Sequence, residues 1–208
     1  MFNIFKKEAE NDKLGQAYIF IGKSGCGKGT QVELFKAKLA EKGESKTLHL
    51  ETGAFFREFI KGNSFTQVLS RKTVETGGLM PGAFAMCLWV NYLEKYFTGK
   101  EDLLFDGAPR KLQEAELLDG VLKFYGIEKY KVIYMNVSDK WSHDRLLVRG
   151  RKDDSEEGIA KRMAWFQNDV MPCIEFFKNN PNCHFVDVNG EQTVEAVRTE
   201  IAKKVFIE

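Results

Sequence analysis

Nine consecutive residues, Gly22-Lys23-Ser24-Gly25-Cys26-Gly27-Lys28-Gly29-Thr30, constrain this chain more than any other stretch. They follow an apolar run, Ala17 to Ile21, and precede a helical pattern in which Val32, Phe35 and Leu39 share a face. Strand, glycine-rich loop and helix in that order are the parts of a phosphate-binding P-loop. Glycines let the backbone curl with its N–H groups pointing inward, and the helix adds its positive end. On this reading Gly22, Gly25, Cys26, Gly27 and Gly29 build the cradle. Lys28 lays a mobile charge on the β- and γ-phosphates of a nucleoside triphosphate, and Thr30 brings a hydroxyl to a magnesium ion or a phosphate. Gly29 stands where Ser or Thr is general, with Thr30 and Gln31 next. A glycine-rich turn that binds nothing is the plainer alternative, and the coincidence of strand, loop and helix signals argues against it.

Downstream, strands and helices alternate. Short apolar strands are expected at 47–50, 103–106, 131–137 and 184–188. Helices are expected after Thr52, over 64–76, from Pro81 as a first helical residue, after Arg110 to about Tyr125, and over 139–148. Asp153-Asp154-Ser155 should cap a long helix whose inner face is Ile159, Met163, Phe166 and Val170, with Pro172 kinking it or ending its first half. A last helix is expected from Thr193 to Ile207. This alternation predicts a five-stranded parallel sheet with helices on both faces, the three-layer P-loop NTPase fold, with ligands at the carboxyl ends of the strands.

A length of 208 residues suits one such domain, and a net charge of +1 argues against a nucleic-acid binder. Four scattered cysteines without a CxxC pair point to free thiols and a cytoplasmic setting. The three histidines are far apart, so no zinc cluster is expected. No apolar run approaches the roughly 18 residues of a membrane span, and the N-terminus lacks the apolar core of a secretory signal. Residues 1–15 read as a short extension packing on the outside.

Three clusters narrow the chemistry. Asp106 closes an apolar strand, where a carboxylate can orient magnesium; capping the next turn is the alternative. Arg145, Arg149, Arg151 and Arg162 crowd the second half. Arginines are usually solvated charges, but 145 and 149 share a helix face, and guanidinium forks suit the spread charge of a transferring phosphoryl group. Thr52-Gly53 with Arg57, and Gly107-Ala108-Pro109-Arg110, form a second anion site beside the first, which implies a phosphorylated acceptor.

These stretches together resemble the adenylate kinase family of nucleoside monophosphate kinases, over about residues 16–207. Gly22 through Gln31 is similar to that family's GxPGxGKGTQ loop, with Ser24 in place of proline. Thr52 to Arg57 resembles TGDxxR with Ala54 for Asp, and Gly78-Leu79-Met80-Pro81 resembles GKLVP. Asp106 to Arg110 resembles DGFPR, Asp144-Arg145 with Arg149 resembles DRxxxR, and Arg151-Lys152-Asp153-Asp154 with Arg162 resembles RxDD and the arginine beyond. Gly190 resembles the turn that meets the donor adenine.

The resemblance implies ATP with Mg²⁺ and a nucleoside monophosphate as partners, without zinc, nucleic acid or membrane. Lys28 would hold the donor phosphates, and Arg145 would lie against the donor adenine. Thr52, Gly53, Arg57, Gly78, Leu79, Met80, Gly107 and Arg110 would receive the acceptor, and Arg149, Arg151 and Arg162 would neutralise charge in flight. It also implies one kinase domain over 16–208, with acceptor-binding helices at about 52–81 and a minimal lid at about 149–152. Only Gly150 separates Arg149 from Arg151, so water exclusion would come from helix closure or a neighbouring subunit, in a monomer or small homo-oligomer. AMP is the favoured acceptor, and UMP, CMP or another nucleoside monophosphate the alternative. The position that is glutamine in AMP users is Glu114 here, with Gln113 beside it; helix phase decides which reaches the base, and Glu114 as a plain surface residue is the other reading. A nucleotide-binding protein with a dead site is the rival class, against which the full set of basic residues stands.

Overall fold

The computed structural model describes residues 14–43, 46–151 and 153–206. The expectations for residues 1–13, for Lys152 and for a helix reaching Ile207 lie outside the described residues.

The strand that feeds the glycine loop, β1 (Ala17–Gly22), is buried on both sides. Ala17, Ile19 and Ile21 enter one core and Tyr18 and Phe20 the other, as the period of two along a strand requires. It is the middle strand of an all-parallel sheet of order β2-β3-β1-β4-β5, with β2 (Thr47–Glu51), β3 (Asp102–Asp106), β4 (Tyr130–Asn136) and β5 (Cys183–Asn189). Ile19 lies beside Phe105 on one side and Val132 on the other.

Two layers of helices cover the sheet. Val32, Phe35 and Leu39 of α1 (Lys28–Lys42) and Val197, Ile201 and Val205 of α9 (Val194–Val205) close one face. Trp89 and Leu93 of α4 (Gly82–Tyr96), Leu118 and Leu122 of α5 (Leu112–Phe124), and Ile174 and Phe177 of α8 (Met171–Asn179) close the other. A satellite core of Phe56, Met80 and Ala85 joins α2 (Thr52–Phe59), the loop after α3 (Phe65–Glu75), and α4. The remaining helices, α6 (Asp139–Arg149) and α7 (Glu156–Trp165), stand over the carboxyl ends of the strands. Because β1 has β3 on one side and β4 on the other, the crossovers part at its carboxyl end, and a crevice opens there. Among the described residues no helix is long and apolar enough to cross a membrane.

Three local expectations are corrected. Pro81 is the residue before α4 rather than its first member, with an extended ψ of 134°. The cap of α7 is Ser155 alone, whose hydroxyl accepts from the Gly158 N–H at 3.2 Å; Asp154 is spent elsewhere. The long helix is interrupted by a π turn at Phe166–Val170, closed by the Met171 N–H to the Phe166 carbonyl. This widened turn directly precedes Pro172, where an ordinary helix would set the ring against the carbonyl four residues back. Phe166 and Val170 still face the core, whereas Met163 is only partly buried.

Candidate active site

The glycine loop holds its curl by positive φ at Gly25 (82°) and Gly27 (88°), conformations that cost other residues energy. Gly25 has a second reason to lack a side chain: a Cβ there would lie 2.8 Å from the Ser142 carbonyl of α6. The Ser142 hydroxyl in turn donates to the Ser24 carbonyl, so loop and helix are in direct contact. Lys28 Nζ donates to the Gly22 carbonyl at 3.0 Å, with Cys26 Sγ at 3.7 Å.

From this loop a cavity of about 1290 Å³ runs to the satellite core. A site for one small ligand has roughly 300–1,000 Å³, so the space suits two nucleotides better than one. Gly25, Gly27, Lys28, Gly29 and Thr30 line one end. Thr52, Gly53, Arg57, Gly78, Leu79, Met80, Gly107, Arg110 and Glu114 line the other. Asp106, Arg145, Arg149, Arg151 and Arg162 also face this space. Gly22 and Cys26 do not line it; they support Lys28 from beneath. Gly190 does not either: its N–H donates to the Asn136 carbonyl at 2.9 Å, and a Cβ would strike Val137 at 2.6 Å.

The guanidinium groups are organised by one carboxylate that the sequence reading assigned to a cap. The Asp154 side chain has no solvent exposure. It accepts from Arg149 Nε and Nη2 at 2.9 and 2.8 Å, from Arg162 Nη2 at 2.6 Å, and from the Arg151 backbone N–H at 2.9 Å. Burial alone would raise its pKa, but the bonds from Arg149 and Arg162 outweigh it and hold the carboxyl well below the usual carboxylate range. Arg162 is itself 5 % exposed and also donates to the Asp153 and Gly158 carbonyls. A depressed folded-state pKa gives stability that is complete above the unfolded value, about 3.9, and is lost as pH falls through the folded one. Thermal midpoints followed by circular dichroism should therefore fall as the pH drops below about 4. Asp154→Asn should be less stable at neutral pH and should flatten that acid slope; an unchanged slope would remove the knot from the account.

At the acceptor end, Arg57 Nη2 pairs with Glu51 Oε1 at 2.5 Å and lies over Gly53. Arg110 donates from Nε to the Gly107 carbonyl at 2.6 Å and stacks 5.4 Å from the Trp165 ring centroid. Burial lowers the Arg110 pKa against the opposing charges of Glu114 and Asp106, yet a guanidinium keeps its proton. Trp165 Nε1 donates to the Gly77 carbonyl at 3.1 Å and ties α7 to the loop after α3. The Thr52 hydroxyl is buried and forms no hydrogen bond among the described residues. The phase of α5 is also decided: Glu114 is 2 % exposed, accepts from the Arg110 N–H at 2.9 Å and lines the cavity. Gln113 is exposed and does not line it, which corrects its place among the acceptor contacts and removes the surface reading of Glu114. Burial pushes the Glu114 carboxyl above its ordinary range, with the Arg110 N–H and guanidinium pulling the other way.

Trp141 and Trp165 were missed in the sequence, and Asp154 entered it only as a cap and as part of the RxDD match. Trp141 carries the Arg145 guanidinium 4.5 Å from its ring centroid, a cation–π contact; the aromatic four residues before a cleft arginine was the available signal.

A sequence model described as adenylate kinase matches residues 20–182. Adenylate kinase 1 of Nostoc sp. is 31 % identical over 183 residues, covering 88 % of this chain and 95 % of that protein. An adenylate kinase of Synechococcus sp. is 32 % identical over 183 residues, covering 88 % and 94 %. One of Flavobacterium psychrophilum is 31 % identical over 192 residues, covering 90 % and 96 %.

Proposed function

Because the chain belongs to the adenylate kinase family, an ATP-dependent nucleoside monophosphate kinase, we propose that it transfers the γ-phosphoryl group of ATP to AMP, giving two ADP. One observation carries the reading: a single cavity joins the glycine cradle to a second anion pocket at Arg57 and Arg110, with Arg149, Arg151 and Arg162 also facing it.

Lys28 and the loop N–H groups hold the triphosphate, and Arg145 on Trp141 lies against the donor adenine. Arg57 and Arg110 hold the AMP phosphate, and the free Thr52 hydroxyl and the Phe56–Met80–Ala85 surface meet its base. A phosphate oxygen attacks in line, so no proton needs removal, and catalysis reduces to alignment and charge neutralisation. Arg149, Arg151 and Arg162 supply that neutralisation on the equatorial oxygens, and Asp154 keeps 149 and 162 at a fixed separation. Residues 52–81 act as the acceptor-binding helices, and the turn at 149–151 belongs to a minimal lid.

The residues fit a magnesium ion. Asp106 ends β3 within the cavity, is 8 % exposed, and its carboxylate forms no hydrogen bond or ion pair among the described residues. Such a carboxylate is available to metal-bound water, and the Thr30 hydroxyl lines the same cavity. When bound with ATP, the ion would offset charge on the β- and γ-phosphates.

A coupled assay of ADP formation from ATP with AMP, GMP, CMP and UMP tests the reading. AMP should have the highest kcat/KM; a higher value for another acceptor would reassign the substrate, and no product from any would overturn the reaction. Glu114→Gln should raise preference for AMP about fivefold, since an amide can donate to adenine N1 where a carboxylate cannot. An unchanged acceptor profile would mean that Glu114 does not meet the base.

A further inference from the structure

Lys23, the second residue of the glycine loop, takes no part in the chemistry described above, yet it touches three elements. Its Nζ donates to the Val137 carbonyl, just beyond β4, at 2.8 Å. It pairs with Asp139 Oδ1 in the first turn of α6 at 2.7 Å. It also lies 5.5 Å from the ring centroid of Phe166, where the π turn follows α7. The side chain is 15 % exposed, unlike a charge left in solvent. Two of these contacts lie beside the guanidinium groups: α6 bears Arg145 and Arg149, and Phe166 lies one turn beyond Arg162. The Ser142 hydroxyl on the Ser24 carbonyl supplies a second pin between the same loop and helix.

We infer that Lys23 is a positioning residue for phosphoryl transfer, fixing the phosphate cradle against the two helices that present arginines to the reacting group. Its ammonium is already held by a carbonyl and a carboxylate, and the distances it sets lie between the donor phosphates and the charges that meet them in flight. A displacement of about 1 Å in such an arrangement can cost up to roughly a hundredfold in rate without touching either substrate's affinity. The kinetic part of this inference rests on the kinase reading; the anchoring part does not.

The test uses Lys23→Met, which keeps the aliphatic stem over Phe166 and removes the charge, together with Asp139→Asn and the double variant. Lys23→Met should lower kcat about tenfold with the KM values for ATP and AMP within about twofold and the thermal midpoint nearly unmoved. Asp139→Asn should act in the same direction, and the double variant should be no worse than Lys23→Met alone, as expected for two residues serving one contact. Lys23→Arg should recover much of the loss. Without substrates, hydrogen exchange of the α6 amides should quicken in Lys23→Met; this arm reads the anchor even if wild type forms no ADP from AMP. The inference falls if kcat is unchanged, if the two single effects multiply, or if α6 exchange is unaltered. It also falls if Lys23→Met raises the ATP KM while Asp139→Asn does nothing, which would make Lys23 a direct phosphate ligand.

Discussion

Lys28→Met is expected to lower kcat by about three orders of magnitude and to leave the thermal unfolding midpoint almost where it was. The two halves have separate causes. The Lys28 ammonium donates to a single backbone carbonyl, that of Gly22, with a thiol beside it. A hydrogen bond of that kind contributes about 1 kcal/mol net. The loop keeps its shape through the positive φ of Gly25 and Gly27 and through the Ser142 contact, none of which involves the lysine. The phosphates, in contrast, would lose the one mobile cation of the cradle at the moment negative charge shifts to the leaving oxygen. Steady-state kinetics beside a calorimetric scan check both halves. A rate within tenfold of wild type would free Lys28 from its role, and a collapse in stability would show that the loop depends on it.

Arg162→Ala is expected to fail on both counts. An arginine that meets phosphoryl charge in flight contributes about 4 kcal/mol to the transition state, or roughly a thousandfold in rate. From the sequence alone such a side chain would leave stability untouched when removed, because an arginine waiting for a phosphate is pictured in solvent. The structure says otherwise. Arg162 is buried and shares Asp154 with Arg149, and truncating it leaves a solvent-inaccessible carboxylate with half of its charged partners. Breaking a buried pair from one side costs about 3 kcal/mol, which for a chain of this length is a fall of about 10 °C in the midpoint. Arg162→Lys separates the effects: the charge beside Asp154 returns and part of the stability with it, while the bidentate fork, and with it the rate, does not. Activity of Arg162→Ala within tenfold of wild type would remove the residue from the reaction, and an unmoved midpoint would remove it from the Asp154 knot.

The fold could be read from the chain because its strongest signals are local. An apolar run, a glycine cluster and a face of Val32, Phe35 and Leu39 lie side by side, and alternation of strand and helix then fixes a parallel sheet. Part of the cavity lining was legible for the same reason, since the segments at 22–30, 52–57 and 107–110 each follow a strand directly. What the chain hid depends on choices that adjacent residues of similar chemistry leave open. Asp153, Asp154 and Ser155 are all good caps, and only tertiary structure shows that the middle one turns inward to the arginines. Gln113 and Glu114 are both polar and one position apart, so a shift of one residue in the start of α5 would exchange them. The π turn was invisible because a single widened turn moves an apolar stripe by less than the scatter of real side chains around a period of 3.6. Lys23 read as one more loop charge, since its three partners come from the far side of the sequence.

The distribution of the three indole rings has a practical outcome. Trp89 is sealed in the core, Trp141 underlies Arg145, and Trp165 underlies Arg110. Trp165 lines the cavity and Trp141 backs one of its arginines, so the two rings lie against different guanidinium groups of the same space. With Arg145 assigned to the donor and Arg110 to the acceptor, as proposed above, their light emission should respond to the two substrates separately, and variants keeping one ring or the other would let the order of substrate arrival be timed on unlabelled protein.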